Sequence, residues 1–126
     1  MDFVIFGENK LAAKFAITPE EQAKGLMFCE EDVVMALLYK DKNYHKFWMK
    51  NTPKPLDLVF CRDNEVVDIR KGVAFSLSLI SSGEVSDLVI ELPLGTVEKL
   101  NITTGCKVDL ELSIETSIKK FNYHKG

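Results

Sequence analysis

The chain has 126 residues, of which 46% are hydrophobic and 28% are charged, a composition typical of one globular domain with its own core. Its 16 basic and 19 acidic side chains give a formal net charge of −3. Nucleic-acid binders and polybasic proteins of the membrane surface carry a basic excess, so this charge argues against both. The expected partner is a small polar ligand or another protein.

The compartment is inferred from targeting signals and from cysteine usage. The N-terminal residues lack the basic and apolar regions of a signal peptide, and no apolar run approaches the ~20 residues that span a bilayer. Cys29, Cys61 and Cys106 are widely spaced and form no C-x-x-C pair. This pattern indicates reduced thiols rather than a disulfide framework or a zinc site. We therefore expect a cytoplasmic protein that holds no metal and no cofactor.

The first predicted elements are a strand and a short helix. Residues 11–17 place their larger apolar side chains at alternate positions, which is typical of a strand. Thr18 has the side chain of a helix cap, and Glu21 follows it at the spacing of a capping box. Gly25 favours the left-handed conformation that ends a helix. The sequence thus predicts a helix over 19–24.

The segment that leads to Pro53 and Pro55 predicts two strands. Residues 33–39 are continuously apolar, which indicates a buried strand. Residues 41–43 have the composition of a turn, and residues 44–49 are predicted to form the next strand. Two prolines make 50–55 an irregular connection, because proline removes a backbone donor and restricts the residue before it.

The second half of the chain contains the clearest hairpin, in which 56–61 and 65–70 flank a polar turn. Alternating side chains predict further strands at 75–79, 88–92 and 107–115. Thr96 is predicted to cap a single helical turn. The predicted domain spans residues 1–118, and the basic residues 119–126 are expected to form a flexible C-terminal tail.

Seven or eight short strands with one or two short helices predict a mainly β fold. The expected architecture is a single-domain β-sandwich or jelly-roll-like barrel, in which each strand has one buried and one solvated face. A Rossmann-type sheet is excluded, since the chain has no glycine fingerprint and no room for repeated crossover helices.

The densest group of functional side chains surrounds the proline-rich connection. Trp48, Lys50, Asn51 and Asp57 bring an aromatic ring, a cation, an amide and a carboxylate to one turn, a combination typical of a polar-ligand site. The alternative is structural: Trp48 belongs to the core, and Asn51 and Asp57 bind the turn backbone. The residues alone leave both interpretations open.

Three other arrangements could carry chemistry. Asp57 and Glu91 could act as acid and base on a sugar-like substrate, which requires carboxyl groups about 5–9.5 Å apart; alternatively, Glu91 faces solvent on its strand. Cys29 or Cys106 could be a nucleophile, which needs a nearby base. His45, at the start of a predicted strand, would need a partner within reach to act as a general base, and a solvated histidine is the favoured interpretation. For the cysteines, buried and inert thiols are the favoured interpretation.

Several motifs resemble one family. They are the G-L-M-F run at 25–28, the F-W-M-K-N-T block at 47–52, the P-L-D run at 55–57, the I-E-L-P run at 90–93, and the glycines Gly95 and Gly105. Together they cover roughly residues 12–112 and resemble the family called domain of unknown function 192. The resemblance implies a mostly β, jelly-roll-like fold and no defined activity.

The chain departs from the pattern of this family at several positions, including residues 34–37, where the family usually has a G-M-L-F string. Cys29 stands where the family usually has an arginine, and Cys106 stands where it often has an acidic residue. A charged pair common in the family is therefore expected to be absent from this chain.

The leading functional hypothesis is a small, non-catalytic binding or accessory domain with a polar-ligand site near the turn between Trp48 and Asp57. The predicted ligand-binding residues are Trp48, Lys50, Asn51, Asp57 and Glu91. Two alternatives remain open: a hydrolase that uses Asp57 and Glu91, and a structural or assembly component, including one encoded by a phage.

Overall fold

The computed structural model describes residues 1–125, and ten strands and three helices lie within that range. The strands are β1 (Phe3–Phe6), β2 (Asn9–Ala12), β3 (Lys14–Ala16), β4 (Met35–Asn43), β5 (Lys46–Phe47), β6 (Leu56–Arg62), β7 (Glu65–Gly72), β8 (Ile80–Ser81), β9 (Ser86–Pro93) and β10 (Asp109–Glu111). The helices are α1 (Pro19–Lys24), α2 (Thr96–Lys99) and α3 (Ile114–His124). Strands account for 41% and helices for 17%, which confirms the mainly β prediction.

The strands form one large and two small sheets. The large sheet has the order β3-β4-β9-β6-β7, and the small sheets have the orders β10-β1-β2 and β5-β8. Strands β3 and β4 are parallel, and the other pairs are antiparallel. The sheets are not closed into a barrel, so that part of the predicted architecture is wrong.

The large sheet is covered on both faces by apolar side chains. One core lies on the face of Val59 and Ile90 and includes Val4 from β1. The other lies on the face of Leu58 and Val89. Strands β6 and β9 are consequently buried along almost their whole length. The expected solvated face is therefore wrong for these two strands, because central strands covered on both sides have no wet face.

Helix α1 confirms the prediction for residues 19–24. The Thr18 hydroxyl accepts a hydrogen bond from the Glu21 amide at 3.2 Å, and the Glu21 carboxylate accepts one from the Thr18 amide at 3.1 Å. Gly25 ends the helix with φ of 51°. The local sequence suffices here because a capping box satisfies the helix start with residues three positions apart.

The hairpin of β6 and β7 is also confirmed. Asp63 and Asn64 form its turn, with φ of 51° and 63°. Two consecutive residues with positive φ match the right-handed twist of the flanking strands, and aspartate and asparagine tolerate this conformation better than most side chains.

Other predicted strands differ from the structure. Residues 11–17 divide at Ala13 between two sheets, and residues 41–43 belong to β4. Residues 44–49 contain only β5, and residues 107–115 contain β10 and the first two residues of α3. Residues 75–79 form a loop, in which Phe75 has φ of 62°. Alternating residues form a strand only where a neighbouring strand supplies hydrogen bonds. Within residues 1–125, no strand pairs with residues 75–79.

The short helix α2 begins one position earlier than predicted. Gly95 is its cap, with φ of 96°. The Thr96 hydroxyl instead donates to the Pro93 carbonyl at 2.6 Å.

The predicted flexible tail is helical in the structure up to His124, so that prediction is corrected, and Gly126 lies outside the described residues. Ser113 caps α3 and is held by Asp2, whose carboxylate accepts from the Ser113 amide at 2.8 Å. The Lys119 ammonium binds the Glu21 carboxylate of α1 at 2.5 Å. These contacts come from the start of the chain and were invisible in the local sequence. No helix within residues 1–125 has the length and apolar character needed to cross a membrane.

Replacement of Glu21 by glutamine should make the protein less stable at neutral pH but not in acid. Burial raises the pKa of Glu21, but hydrogen bonds from Lys119 and two backbone amides outweigh it and lower the pKa from 4.5 to about 2. Stability from this carboxylate is present above pH 4.5 and is lost as the pH falls through about 2. Because Glu21 is partly exposed, we expect a loss on the order of 1 kcal/mol at pH 7.

Urea unfolding at pH 7 and pH 2 measures this difference. Glu20→Gln is the matched control, since Glu20 lies in the same helical turn and is exposed. If Glu21→Gln lowers the free energy of unfolding by the same amount at pH 7 and at pH 2, the charge of Glu21 does not stabilise the protein.

Candidate functional site

A pocket of about 640 Å³ opens between α1, β5 and the central strands of the large sheet. Its lining includes Tyr39, Phe47, Trp48 and Glu91. Glu91 is only 6% exposed, whereas Trp48 is 44% exposed. The pocket therefore extends from an exposed indole to a buried carboxyl group.

Glu91 occupies the central strand of the large sheet. In register it lies between Met35 of β4 and Leu58 of β6. Its Oε1 atom is buried and has no hydrogen-bond partner among residues 1–125. Burial raises the pKa of Glu91 from 4.5 to about 7, so near neutral pH the carboxyl group is present in both protonation states. It can then either donate or accept a hydrogen bond.

Gly25 brings the end of α1 close to this carboxyl group. Its φ of 51° and ψ of −126° are a combination that L side chains rarely adopt. A Cβ atom at this position would lie 3.4 Å from Oε1 of Glu91. That distance is an ordinary van der Waals contact, so glycine is required here by the backbone conformation that ends the helix.

Aromatic rings form much of the pocket wall. Tyr39 stacks on His45 with ring centroids 3.6 Å apart. Burial and then the charge of Glu91 raise the pKa of Tyr39 far above its usual value, which keeps its hydroxyl protonated and able to donate. Phe47 is held edge-on against Phe60 at 5.8 Å. The wall is thus fixed by ring contacts on its core side.

Asp57 lies outside this pocket. Its side chain is fully buried, and one oxygen accepts from the amides of Gly95 and Val97, both at 3.0 Å. The other oxygen faces Lys71, whose ammonium group is 3.3 Å away. Asp57 therefore anchors the segment around α2 to the sheet.

Asp57 and Glu91 point to opposite faces of the large sheet. Leu58, not Asp57, pairs with Glu91, and successive side chains of a strand alternate between faces. Asp57 thus shares the face of Val59 and the first core, whereas Glu91 shares the face of Val89 and the second core. The two carboxyl groups do not form a pair that could act on one bond.

Lys50 and Asn51 lie beside the pocket rather than in its lining. The Lys50 ammonium is 5.0 Å from the centroid of the Trp48 ring. Asn51 has φ of 55°, and its carbonyl accepts from the Phe28 amide at 2.7 Å. Of the five predicted ligand-binding residues, the structure therefore brings Trp48 and Glu91 to one pocket.

The cysteines lie apart from one another in environments that differ. Cys61 is fully buried, and burial raises the pKa of its thiol to about 12. Hydrogen bonds from Thr103 lower the pKa of Cys106. The Cys29 thiol donates a hydrogen bond to the Glu31 carbonyl at 3.6 Å. Within residues 1–125, no three His, Cys, Asp or Glu side chains are placed to hold a metal ion.

Tyr39 and Gly25 were not identified from the sequence as parts of the site. Glu91 was included among the ligand-binding residues, but was otherwise interpreted as solvent-facing or as a catalytic partner of Asp57. Gly25 was identified only as a helix end. The one available signal was Glu91 itself, since it interrupts the apolar strand 88–92. Its burial depends on β4 and β6, which come from distant parts of the chain.

The comparison with family models matches residues 3–110 to DUF192, described as an "Uncharacterized ACR". The chain belongs to the DUF192 family. This confirms the resemblance inferred from the motifs. All the pocket residues named above lie within the matched range, whereas α3 follows it. No function is assigned to the family by this description.

Two solved structures are similar to this DUF192 chain. A protein of unknown function from Novosphingobium aromaticivorans is 31% identical with a TM-score of 0.77, and the match covers 86% of this chain and 82% of that one. A protein from Sinorhizobium meliloti described as a "putative transcription regulator" is 28% identical with a TM-score of 0.79, and the match covers 86% and 90%. The search of curated proteins found no match.

Proposed function

We propose that this chain is a binding or accessory domain that holds a small polar ligand between Glu91 and Trp48. The observation that carries the proposal is the buried Oε1 atom of Glu91, which has no partner among residues 1–125. An unpaired buried polar atom costs stability, and a pocket beside it offers a ligand the position of the missing partner.

The lining indicates the chemistry of the ligand. Glu91 would bind a hydroxyl, amide or amine group of the ligand, because each of these supplies the hydrogen that Oε1 lacks. Tyr39, Phe47 and Trp48 would pack against its ring or carbon skeleton. Lys24 and Lys46 also line the pocket and add positive charge. A small molecule that carries both a ring and polar substituents fits this combination.

Binding is favoured over hydrolysis because the proposed acid and base are separated. Asp57 is occupied by two amides and Lys71, and it faces the other side of the sheet. Among residues 1–125, Glu91 is the one acidic residue of the pocket lining.

Replacement of Trp48 by alanine should weaken ligand binding by about tenfold or more, since a ring contact of roughly 1–2 kcal/mol is removed. The fold should persist, because Trp48 is substantially exposed. A library of polar ring compounds, screened on the native protein through its single tryptophan, would supply the ligands. Calorimetric titration would then compare the variants.

Lys50→Ala is the matched control, because Lys50 contacts the Trp48 ring but is not part of the lining. It should retain affinity within a few-fold, and circular dichroism should show all variants folded. Ligands that bind Trp48→Ala and Glu91→Gln as tightly as the native protein would place binding elsewhere and refute the proposal.

A further inference from the structure

A second surface feature is a loop of exposed apolar side chains next to the pocket. Residues 72–83 carry no charge, although 28% of the chain is charged. Within them, Phe75 is 62% exposed, and Leu77 and Leu79 are each 66% exposed. Val73 is also exposed. Large apolar side chains gathered on one loop are unfavourable in water unless something covers them.

The loop is held against the segment that carries Trp48. The Met49 amide donates to the Ser76 carbonyl at 2.9 Å, and the Phe75 amide donates to the Thr52 carbonyl at 3.0 Å. Strand β8, which follows the loop, pairs with β5 through Phe47 and Ile80. The apolar side chains are therefore presented by an ordered surface that also includes the exposed indole of Trp48.

The charged residues within the two chain segments that form this surface are all basic. Segments 46–54 and 70–83 contain no acidic residue, whereas the whole chain has a net charge of −3. Their basic residues are Lys46, Lys50, Lys54, Arg70 and Lys71. Lys54, Arg70 and Lys71 form ion pairs with acidic residues outside the two segments. Lys46 and Lys50 are exposed and add positive charge beside the loop.

We propose that this surface, defined by Trp48, Val73, Phe75, Leu77 and Leu79, docks on an anionic lipid bilayer. Apolar side chains enter the boundary between headgroups and acyl chains, and flanking lysines attract anionic headgroups. A tryptophan is suited to this boundary because its ring is apolar and its N–H is polar. The charge of the whole chain argues against membrane association, but the exposed Lys46 and Lys50 beside the loop are complementary to anionic lipid.

The size of the surface favours a bilayer over a second copy of the chain. Standard protein interfaces use roughly 20–30 residues on each side. Five apolar side chains on one loop and its neighbour are too few for such an interface, whereas a bilayer requires only side chains that reach its surface. The pocket lined by Trp48 would then open close to the lipid headgroups.

Sedimentation with lipid vesicles tests the proposal on the full chain. The native protein should sediment with vesicles of phosphatidylcholine and phosphatidylserine, less with phosphatidylcholine alone, and less as salt is added. Emission from Trp48 should shift to shorter wavelength on binding. The double substitution Leu77→Ser and Leu79→Ser should reduce the bound fraction about tenfold, because two apolar anchors are removed.

The matched control is the double substitution Ile118→Ser and Phe121→Ser, which removes two exposed apolar side chains from α3. This variant should bind vesicles like the native protein. Failure of the native protein to bind anionic vesicles would overturn the proposal, as would equal binding by the loop variant. Self-association that only the loop substitutions abolish would instead make the surface an interface between copies.

Discussion

Replacement of Asp57 by alanine is expected to destabilise the protein by about 3–5 kcal/mol, the cost of removing one partner from a buried, hydrogen-bonded charge. Asp57 is fully buried and accepts from the Gly95 and Val97 amides. Alanine would leave both amides without a partner at the start of α2. Urea unfolding followed by circular dichroism measures the loss.

Two further variants divide this effect into its parts. Lys71→Ala removes the exposed cation alone and should cost much less than Asp57→Ala, because solvent screens an exposed charge. Asp57→Asn keeps one acceptor oxygen and should fall between Lys71→Ala and Asp57→Ala. If Asp57→Ala unfolds at the same urea concentration as the native protein, the carboxylate does not anchor α2 to the sheet.

The second large effect is expected at Glu91, where glutamine should stabilise the protein by about 3 kcal/mol at pH 8. Burial raises the pKa of Glu91 from 4.5 to about 7, so the folded state binds this proton more tightly than the unfolded state. Stability therefore decreases as the pH rises from 4.5 through about 7, and the loss persists above it. Glutamine carries no charge and avoids the loss.

Unfolding free energies of the native protein and of Glu91→Gln at pH 4.5 and pH 8 measure this difference. At pH 4.5 the two should agree within about 1 kcal/mol, since most of the native carboxyl is then protonated. Glu98→Gln is the control, because Glu98 is exposed and should change stability by less than about 0.5 kcal/mol at either pH.

The result at Glu91 also bears on the proposed function. A residue that lowers stability at neutral pH and lies at a pocket is typical of a functional position, where stability is given up for binding. If Glu91→Gln is no more stable than the native protein at pH 8, the buried carboxyl group of Glu91 has a hydrogen-bond partner in solution. The proposal of a ligand partner for Oε1 would then lose its main support.

Part of the candidate site could be predicted from the sequence. Trp48 was identified because a single tryptophan stands beside a lysine and two prolines, a local pattern. Glu91 is among the predicted ligand-binding residues, but its predicted catalytic role required Asp57 as the second carboxyl group. Separating the two required the register of β6 against β9, in which Leu58 lies opposite Glu91. A shift of one residue would have placed both carboxyl groups on the same face.

Elements whose hydrogen bonds close within a few residues could be predicted from the local sequence. Helix α1 follows from Thr18, Glu21 and Gly25, and the β6–β7 hairpin follows from Asp63 and Asn64. The family was likewise recognisable from short motifs. In each case the deciding interactions or residues are neighbours along the chain, so no distant segment was needed to identify them.

The burial and exposure of individual side chains, in contrast, follow from contacts between distant segments. Residues 75–79 alternate like a strand but lie in an exposed loop, while Glu91 alternates like a solvated residue but is buried between β4 and β6. Helix α3 is held partly by Asp2 and Glu21. Burial depends on segments that meet only after folding, and a local pattern contains no information about which segments those are.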